Sequence, residues 1–299
     1  RTMEALAREG YELTVVGCDT EGRIDPSALA AAIRPGQTAL VSCMWANNET
    51  GVLLPVPEIA DHCAEAGVPF HTDAVQAVGK VPVDLRAHPG INLLSLAGHK
   101  LHGPKGVGAL VVRRGTALEP LVRGGAQEGG RRAGTENIAG IVGLGVACGL
   151  AHRHLAAGGP AIAALRDRFE AAVLARLSGV WRNGGGAPRT PNTTSLGFEG
   201  VEGQGVLLLL DQAGIAASAG SACAAGSLEA SHVLRAMGLD HDQAGASLRF
   251  SLSRYTTAEE LDWALEALVA TVERLRTLRP YADPAAIAAY RQTQRLPVG

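Results

Sequence analysis

A lysine follows a predicted strand in the segment SLAGHKLHGPKGVGAL. Residues 92–96 have the composition of a β-strand, and the glycine-rich turn after them carries His99 and Lys100. Ligands of open α/β sheets bind at the carboxyl ends of the strands, and a partly desolvated lysine there is suited to form a Schiff base with an aldehyde cofactor. A surface lysine in a turn would have the same local sequence, so this segment leaves both interpretations open.

A carboxylate and an amide follow another predicted strand, residues 68–72, in the segment VPFHTDAVQAVGK. Asp73 ends this strand and Gln76 lies three residues later, so both side chains can project from the sheet edge that carries Lys100. An aspartate there would keep a pyridinium nitrogen protonated, which is the charge that makes pyridoxal phosphate an electron sink. An aspartate at a strand end is also a common helix cap, and the segment by itself favours the cap.

An amide-rich turn and a strand arginine offer groups for a substrate carboxylate. The NNETG turn at residues 47–51 contains Asn48 and follows the predicted strand at residues 38–44, although alone it is simply a turn. Arg249 lies in the predicted strand at residues 246–252, where a fixed guanidinium can grip an α-carboxylate with two hydrogen bonds. An ordinary ion pair would explain a strand arginine equally well.

Cys223 stands among small residues in the segment SAGSACAAGSLEASHVL. This composition predicts a mobile loop, whose thiol could travel between a buried cofactor and a protein acceptor. A small buried cysteine is the commoner fate of this residue type. The chain has five cysteines, an odd number without CxxC spacing, which argues against a zinc or iron-sulfur site and predicts at least one free thiol.

The charge balance argues against binding to nucleic acid or to an anionic membrane. Lysine and arginine number 27 and aspartate and glutamate 29, for a net charge of -2, and both signs are spread along the chain. Small metabolites or proteins are therefore the expected partners. With no secretory signal and no run that approaches the roughly 18 apolar residues of a membrane helix, we expect a cytoplasmic protein. The opening RTMEALAREG predicts the last turns of a helix that ends at Gly10, so an upstream part is expected.

The elements that must position these residues alternate between strands and helices. Predicted strands in the first half are residues 13–16, 38–44, 68–72, 92–96 and 107–112. Helical or turn-rich stretches such as residues 56–66 separate them, which predicts an α/β fold with a mostly parallel sheet flanked by helices. Residues 136–155 predict a long buried helix, and residues 161–177 a second, amphipathic helix leading to another domain.

The second half of the sequence predicts a smaller α+β domain. Strands are expected at residues 192–198 and 246–252, and helices at residues 202–212 and from Thr257 onward. The expected division is a large cofactor-binding domain at residues 1–155 and a small domain with the cysteine loop at residues 156–299.

Taken together, the motifs resemble the cysteine desulfurases of the NifS and IscS type, which are class V aminotransferases with the fold of fold-type I pyridoxal-phosphate enzymes. The resemblance runs in the family order through NNETGV, FHTDAVQAVGK, SLAGHKLHGPKGVGAL, GGAQEGGRRAGTEN, SAGSACAAGSLEASHVLRAMG and LRFSLSRYTTAEELD. The short cysteine loop followed by SLEASHVL is similar to this subgroup rather than to the one that includes selenocysteine lyases.

The resemblance implies that pyridoxal 5'-phosphate is held covalently by Lys100. It implies that Asp73 faces the pyridine nitrogen, that Gln76 bonds the phenolic oxygen, and that His99 binds the phosphate. Thr135 would reach the phosphate of the neighbouring subunit in a homodimer. Where the family has a phosphate-binding serine, this chain has Ala97, so one hydroxyl contact is absent. The family's upstream phosphate loop and ring-stacking histidine are not in this sequence.

For the substrate, the resemblance implies that L-cysteine is gripped through its carboxylate by Asn48, which is also near the cofactor, and by Arg249. Cys223 would accept the sulfur and pass it to an acceptor protein, for example in iron-sulfur cluster assembly. A selenocysteine lyase or another class V aminotransferase would use Lys100 and Asp73 without depending on Cys223. A non-catalytic scaffold that binds a sulfur carrier is the alternative outside the enzymes.

Overall fold

The computed structural model describes residues 2–220 and 230–278, except for the side chains of residues 156–158. These residues fall into two compact units. The first unit comprises the described residues of Arg1–Asn48, Val52–Gly159 and Gly186–Thr190, and the second comprises those of Glu49–Gly51, Pro160–Gly185 and Pro191–Gly299.

The first unit is built on a four-stranded sheet in the order β1-β2-β3-β4. The strands are β1 (Val41–Met44), β2 (Phe70–Asp73), β3 (Leu93–Ala97) and β4 (Gly108–Val112). The first three strands are parallel and β4 is antiparallel to β3. The helices of this unit that precede β3 are α1 (Thr2–Arg8), α2 (Pro26–Ala32) and α3 (Val56–Glu65). The predicted α/β fold with a mostly parallel sheet is confirmed.

One face of this sheet forms the core of the first unit. Phe70 and Leu94 are buried there together with Ile59 and Cys63 of α3. The predicted strand at residues 13–16 is wrong: these residues pair with no described strand, and Leu13 and Val15 are 41% and 80% exposed. Without a partner strand, a short apolar run can neither bury its side chains nor pair its backbone groups.

A single helix, α4 (Ile138–Arg176), replaces the two helices predicted between residues 136 and 177. Pro160 lies inside it and interrupts the helical hydrogen bonding at one position without ending the helix. The expectation that residues 136–155 are buried is also wrong, because only 22% of Ile138–Leu155 is buried in the described chain. By length and composition this stretch could cross a membrane. This is weak evidence, because core helices of soluble proteins can have the same length and composition. Glycines lie between the apolar residues of this stretch, which made its overall hydropathy difficult to recognise in the sequence.

The second unit contains an antiparallel sheet in the order β5-β6-β8-β7. Its strands are β5 (Val180–Arg182), β6 (Thr193–Phe198), β7 (Ser218–Ala219) and β8 (Ser247–Ser251). Its further helices are α5 (Gly203–Gln212), α6 (His232–Ala236), α7 (His241–Gly245) and α8 (Ala258–Leu278). The predicted strands at residues 192–198 and 246–252 and the helices at residues 202–212 and after Thr257 are confirmed.

Candidate active site

Asp73 and Lys100 follow neighbouring parallel strands and therefore come to the same edge of the sheet. Asp73 is the last residue of β2 and lies opposite Ser95 of β3. The backbone N–H of Ala74 donates to the carbonyl of Ser95 at 3.0 Å, which locks this register. A 3₁₀ turn, Gly98–Leu101, begins directly after β3 and carries Lys100. Both Asp73 and Lys100 are partly buried, as a site that excludes some water requires.

The carboxylate of Asp73 also orders the turn that follows its strand. Its Oδ1 atom accepts a hydrogen bond from the backbone N–H of Val75 at 2.9 Å. The sequence left open whether Asp73 serves as a cap or as a site residue. The two roles are compatible, because the same hydrogen bond that caps the turn fixes the carboxylate at the strand end. Gln76 lies in this turn, where its Oε1 accepts from the Nζ atom of Lys80 at 2.9 Å.

A glycine makes the turn beneath Lys100 possible. Gly98 is buried, and a Cβ atom there would lie 3.0 Å from Cγ1 of Val107 and 3.2 Å from the carbonyl oxygen of Pro104. The backbone N–H of Gly98 donates to the Val107 carbonyl at 2.9 Å, closing the loop between β3 and β4. His99 is exposed at this turn, and Ala97 precedes it with a methyl group in place of a hydroxyl.

A histidine between two serines supports the sheet face that carries Asp73, and the sequence analysis missed it. The ring of His71 spans three strands, with Nδ1 2.8 Å from the hydroxyl of Ser42 and Nε2 2.8 Å from that of Ser95. Burial lowers the pKa of His71, and the nearby negative charge of Asp73 opposes this shift. The ring is therefore predominantly neutral at pH 7, with one nitrogen donating and the other accepting.

The NNETG turn lies where the two units meet along the chain. Asn48 is partly buried and is the last residue of this stretch in the first unit, whereas Glu49 belongs to the second. The turn is closed by a hydrogen bond of 2.8 Å from the backbone N–H of Asn47 to the Val52 carbonyl. Glu49 is 1% exposed, which is rare for a carboxylate and was not anticipated from the sequence.

Arg249 is held in the sheet of the second unit. It lies on β8 between Ser195 of β6 and Ser218 of β7. Its Nη2 atom donates to the hydroxyl of Ser218 at 3.1 Å. Behind it, the buried side chain of Asn183 donates to the hydroxyls of Ser195 and Ser247, at 3.0 Å in both cases. These bonds give the guanidinium a rigid base, as a carboxylate clamp needs.

Two of the predicted site residues, Thr135 and Cys223, stand apart from this description. Thr135 is exposed in the turn that precedes α4, beside Gly134, whose backbone N–H donates to Oε1 of Gln127 at 3.2 Å. Cys223 lies in residues 221–229, outside the described residues. Of the other cysteines, Cys43 and Cys63 are buried free thiols.

The groups at the sheet edge of the first unit fit pyridoxal phosphate. Lys100 supplies a primary amine for an aldehyde, and Asp73 supplies a carboxylate for a ring nitrogen, from neighbouring strands in fixed register. Gln76 adds an amide, and His99 an exposed imidazole able to contact a phosphate. The methyl group of Ala97 is the one position of this set that offers no polar contact.

Comparisons with known proteins agree with this chemistry. The Aminotransferase class-V family profile matches residues 2–263. A cysteine desulfurase of Klebsiella pneumoniae is 54% identical over 278 residues, covering 93% of this chain and 69% of the relative. Cysteine desulfurase NifS of Azotobacter vinelandii is 51% identical, covering 92% and 68%. A solved structure described as SspA in complex with cysteine is 34% identical, with a TM-score of 0.70 and coverage of 86% and 70%.

Proposed function

Because the chain belongs to the cysteine desulfurases of the class-V aminotransferase family, we propose that it removes sulfur from L-cysteine and holds it as a persulfide on Cys223. L-Alanine is the other product. The observation that carries this proposal is the shared edge of β2 and β3, where Asp73 and Lys100 follow parallel strands. The relative described in complex with cysteine supports the choice of substrate.

Lys100 and Asp73 have complementary charges and tasks in this proposal. Bound pyridoxal phosphate would supply an electron sink for negative charge at the substrate Cα. Asp73 would keep the ring nitrogen protonated, with its carboxylate fixed at the strand end by the Val75 N–H. Lys100 would hold the cofactor through its amine, and its Nζ atom, when free, would accept the Cα proton of the substrate.

Sulfur transfer then depends on the substrate clamp and on the Cys223 thiolate. Asn48 and Arg249 hold the carboxylate of L-cysteine. The guanidinium of Arg249 is itself held by its hydrogen bond to Ser218. The thiolate attacks the substrate sulfur, so that an S–S bond forms while the Cβ–S bond breaks. The electron pair of the broken bond stays on the carbon skeleton, which takes up one proton at Cβ, regains the Cα proton from Lys100 and leaves as L-alanine. An unperturbed thiol is only a few per cent ionised at pH 7, so a base must deprotonate Cys223.

Borohydride reduction followed by peptide mass spectrometry tests the assignment of Lys100. Reduction should fix the cofactor to the peptide that contains Lys100, and Lys100→Ala should lose both this adduct and turnover. Lys105→Ala is the matched control, since Lys105 is an exposed lysine five residues further on. A reducible adduct that survives Lys100→Ala would overturn the assignment.

We further propose that two chains assemble so that Thr135 of one contacts the cofactor phosphate of the other. Exposed apolar residues follow Thr135 along α4 with helical spacing, which supports a contact surface there: Ile138 is 63%, Val142 61% and Val146 59% exposed. Thr135→Val chains mixed with Lys100→Ala chains give heterodimers with one intact site and one that lacks both groups. Activity of about half the wild-type level per heterodimer supports sharing, and a fully active Thr135→Val homodimer contradicts it.

A sulfur-acceptor protein and a cytoplasmic location complete the proposal. A persulfide is a carrier state, so it needs a protein or small thiol to receive the sulfur, and iron-sulfur cluster assembly is one process that consumes it. The free thiols of Cys18, Cys43, Cys63 and Cys148 suit a reducing compartment. Incubating persulfide-loaded enzyme that carries labelled sulfur with a cell extract, and locating the label by mass spectrometry, would identify the acceptor.

A further inference from the structure

Glu49 contacts the residue that begins the helix after the cysteine-bearing segment. Its buried carboxylate accepts, through Oε2, a short hydrogen bond from the hydroxyl of Ser231. Ser231 is also the N-cap of α6, because its Oγ atom accepts from the backbone N–H of Leu234 at 3.2 Å. The two residues are 182 positions apart in sequence and both belong to the second unit.

The residue before the same segment, Gly220, lies near the same carboxylate oxygen. Gly220 has a φ angle of 54°, in the left-handed region that favours glycine. A Cβ atom on Gly220 would lie 3.5 Å from Oε2 of Glu49 and 3.3 Å from Cβ of Ser231. The carboxylate oxygen that bonds Ser231 therefore borders the space in which a side chain at Gly220 would lie, and residues 221–229 follow Gly220 and precede Ser231 in the sequence.

We propose that Glu49 is a positioning residue for sulfur transfer: it holds Ser231 and lies beside Gly220, the described residues on either side of the segment that carries Cys223. This inference rests on the proposed function, because it takes Cys223 as the sulfur acceptor. Glu49 is also bonded directly to Asn48, the proposed contact of the substrate carboxylate.

The expected size of the effect follows from how strictly a displacement reaction depends on position. A hydrogen bond to a buried carboxylate is charge-assisted and stronger than one between neutral groups. A misplacement of about 1 Å can slow a reaction by about 100-fold. Breaking the Glu49 contact should therefore slow persulfide formation by roughly tenfold to 100-fold while the binding of L-cysteine changes little.

The variant Ser231→Asp tests the contact with Glu49 separately from the role of Ser231 as a helix cap. Aspartate is as good an N-cap as serine, so the bond to Leu234 is kept, but its negative charge is repelled by Glu49. Ser231→Thr keeps a hydroxyl for both contacts and should restore the wild-type rate. The measurement is single-turnover formation of the Cys223 persulfide in the holoenzyme, with cysteine binding followed by the change in cofactor absorbance.

Gly220→Ala and Gly214→Ala form a matched pair that tests the same contact from the other end. Both glycines have positive φ angles, 54° and 78°, so both substitutions carry the backbone strain of alanine in this region. Only at Gly220 does the new methyl group meet Glu49 and Ser231, because nothing lies within 4 Å of a Cβ atom at Gly214. Gly220→Ala should slow persulfide formation, and Gly214→Ala should not.

A second readout does not depend on turnover. The rate at which iodoacetamide alkylates Cys223 without substrate should change in Ser231→Asp and Gly220→Ala, and should stay at the wild-type value in Ser231→Thr and Gly214→Ala. Wild-type rates of both alkylation and persulfide formation in the first two variants would overturn the role of Glu49. Failure of the wild-type enzyme to form any persulfide on Cys223 would instead overturn the proposed function.

Discussion

Replacing Cys223 by serine should abolish persulfide formation rather than move it to another cysteine. The hydroxyl of serine is a far poorer nucleophile toward sulfur than a thiolate is. The two buried thiols of the first unit cannot replace Cys223 as nucleophiles, because burial suppresses their ionisation. Burial raises the pKa of Cys43 to about 12, with a smaller contribution from neighbouring Cys63. Burial also raises the pKa of Cys63 to about 11.

These pKa values set the size of the effect, because the thiolate is the reactive form. At pH 8 a thiol with an ordinary pKa near 9 is roughly one-tenth ionised, and each further pKa unit lowers the ionised fraction tenfold. Cys63 is then ionised to about one part in 1,000 and Cys43 to about one part in 10,000. Burial also raises the pKa values of Cys18 and Cys148, which are partly exposed.

Two measurements check this ranking of the cysteines. Peptide mass spectrometry after incubation with L-cysteine should find the added sulfur on Cys223 in the wild type and on none of the other cysteines in Cys223→Ser. Timed alkylation at pH 8 should label the partly exposed Cys18 and Cys148 faster than the buried Cys43 and Cys63, which react fully only after unfolding. Labelling of Cys43 in the folded protein as fast as Cys18 would refute the reasoning.

Three further predictions concern the supports of the site. Because the folded-state pKa of His71 is lowered, the unfolded chain binds a proton that the folded chain does not, and stability should fall as pH drops below about 6.5; thermal melts of His71→Gln should show a weaker fall. Gly197→Ala should cost about 1–3 kcal/mol in denaturant unfolding, since its Cβ atom would lie 2.0 Å from Cε2 of Trp181, and an unchanged midpoint would contradict this packing. Thr135→Val should lose cofactor faster on dialysis, measured by absorbance, without a lower melting temperature; equal retention would count against a phosphate contact.

The sequence was most informative where chemistry follows directly from chain order. Parallel strands end at a common edge, so the positions of Asp73 and Lys100 after successive strands were enough to predict that both come to it. The bond between Glu49 and Ser231 was out of reach, because nothing local relates residues 182 positions apart.

The contacts of His71 depend on strand register, which short strands do not reveal. Ser42 lies directly opposite His71, whereas Ser95 lies opposite Asp73, so the ring bridges one directly paired and one offset neighbour. The course of α4 was mispredicted for another reason. Pro160 lies between the two predicted helices, yet one missing N–H does not end a helix when the residues on both sides favour it.

The ring of His71 also offers a way to observe the candidate site by spectroscopy. A ring N–H held 2.8 Å from a serine oxygen in a partly buried place exchanges slowly with water, so it should give a resolved signal in a nitrogen-15 NMR spectrum. Because His71 senses the charge of Asp73, this signal should shift when a cation settles beside that carboxylate. The ring of His71 therefore reports whether the site beside Asp73 is occupied. This signal can be measured without a colour change and without turnover.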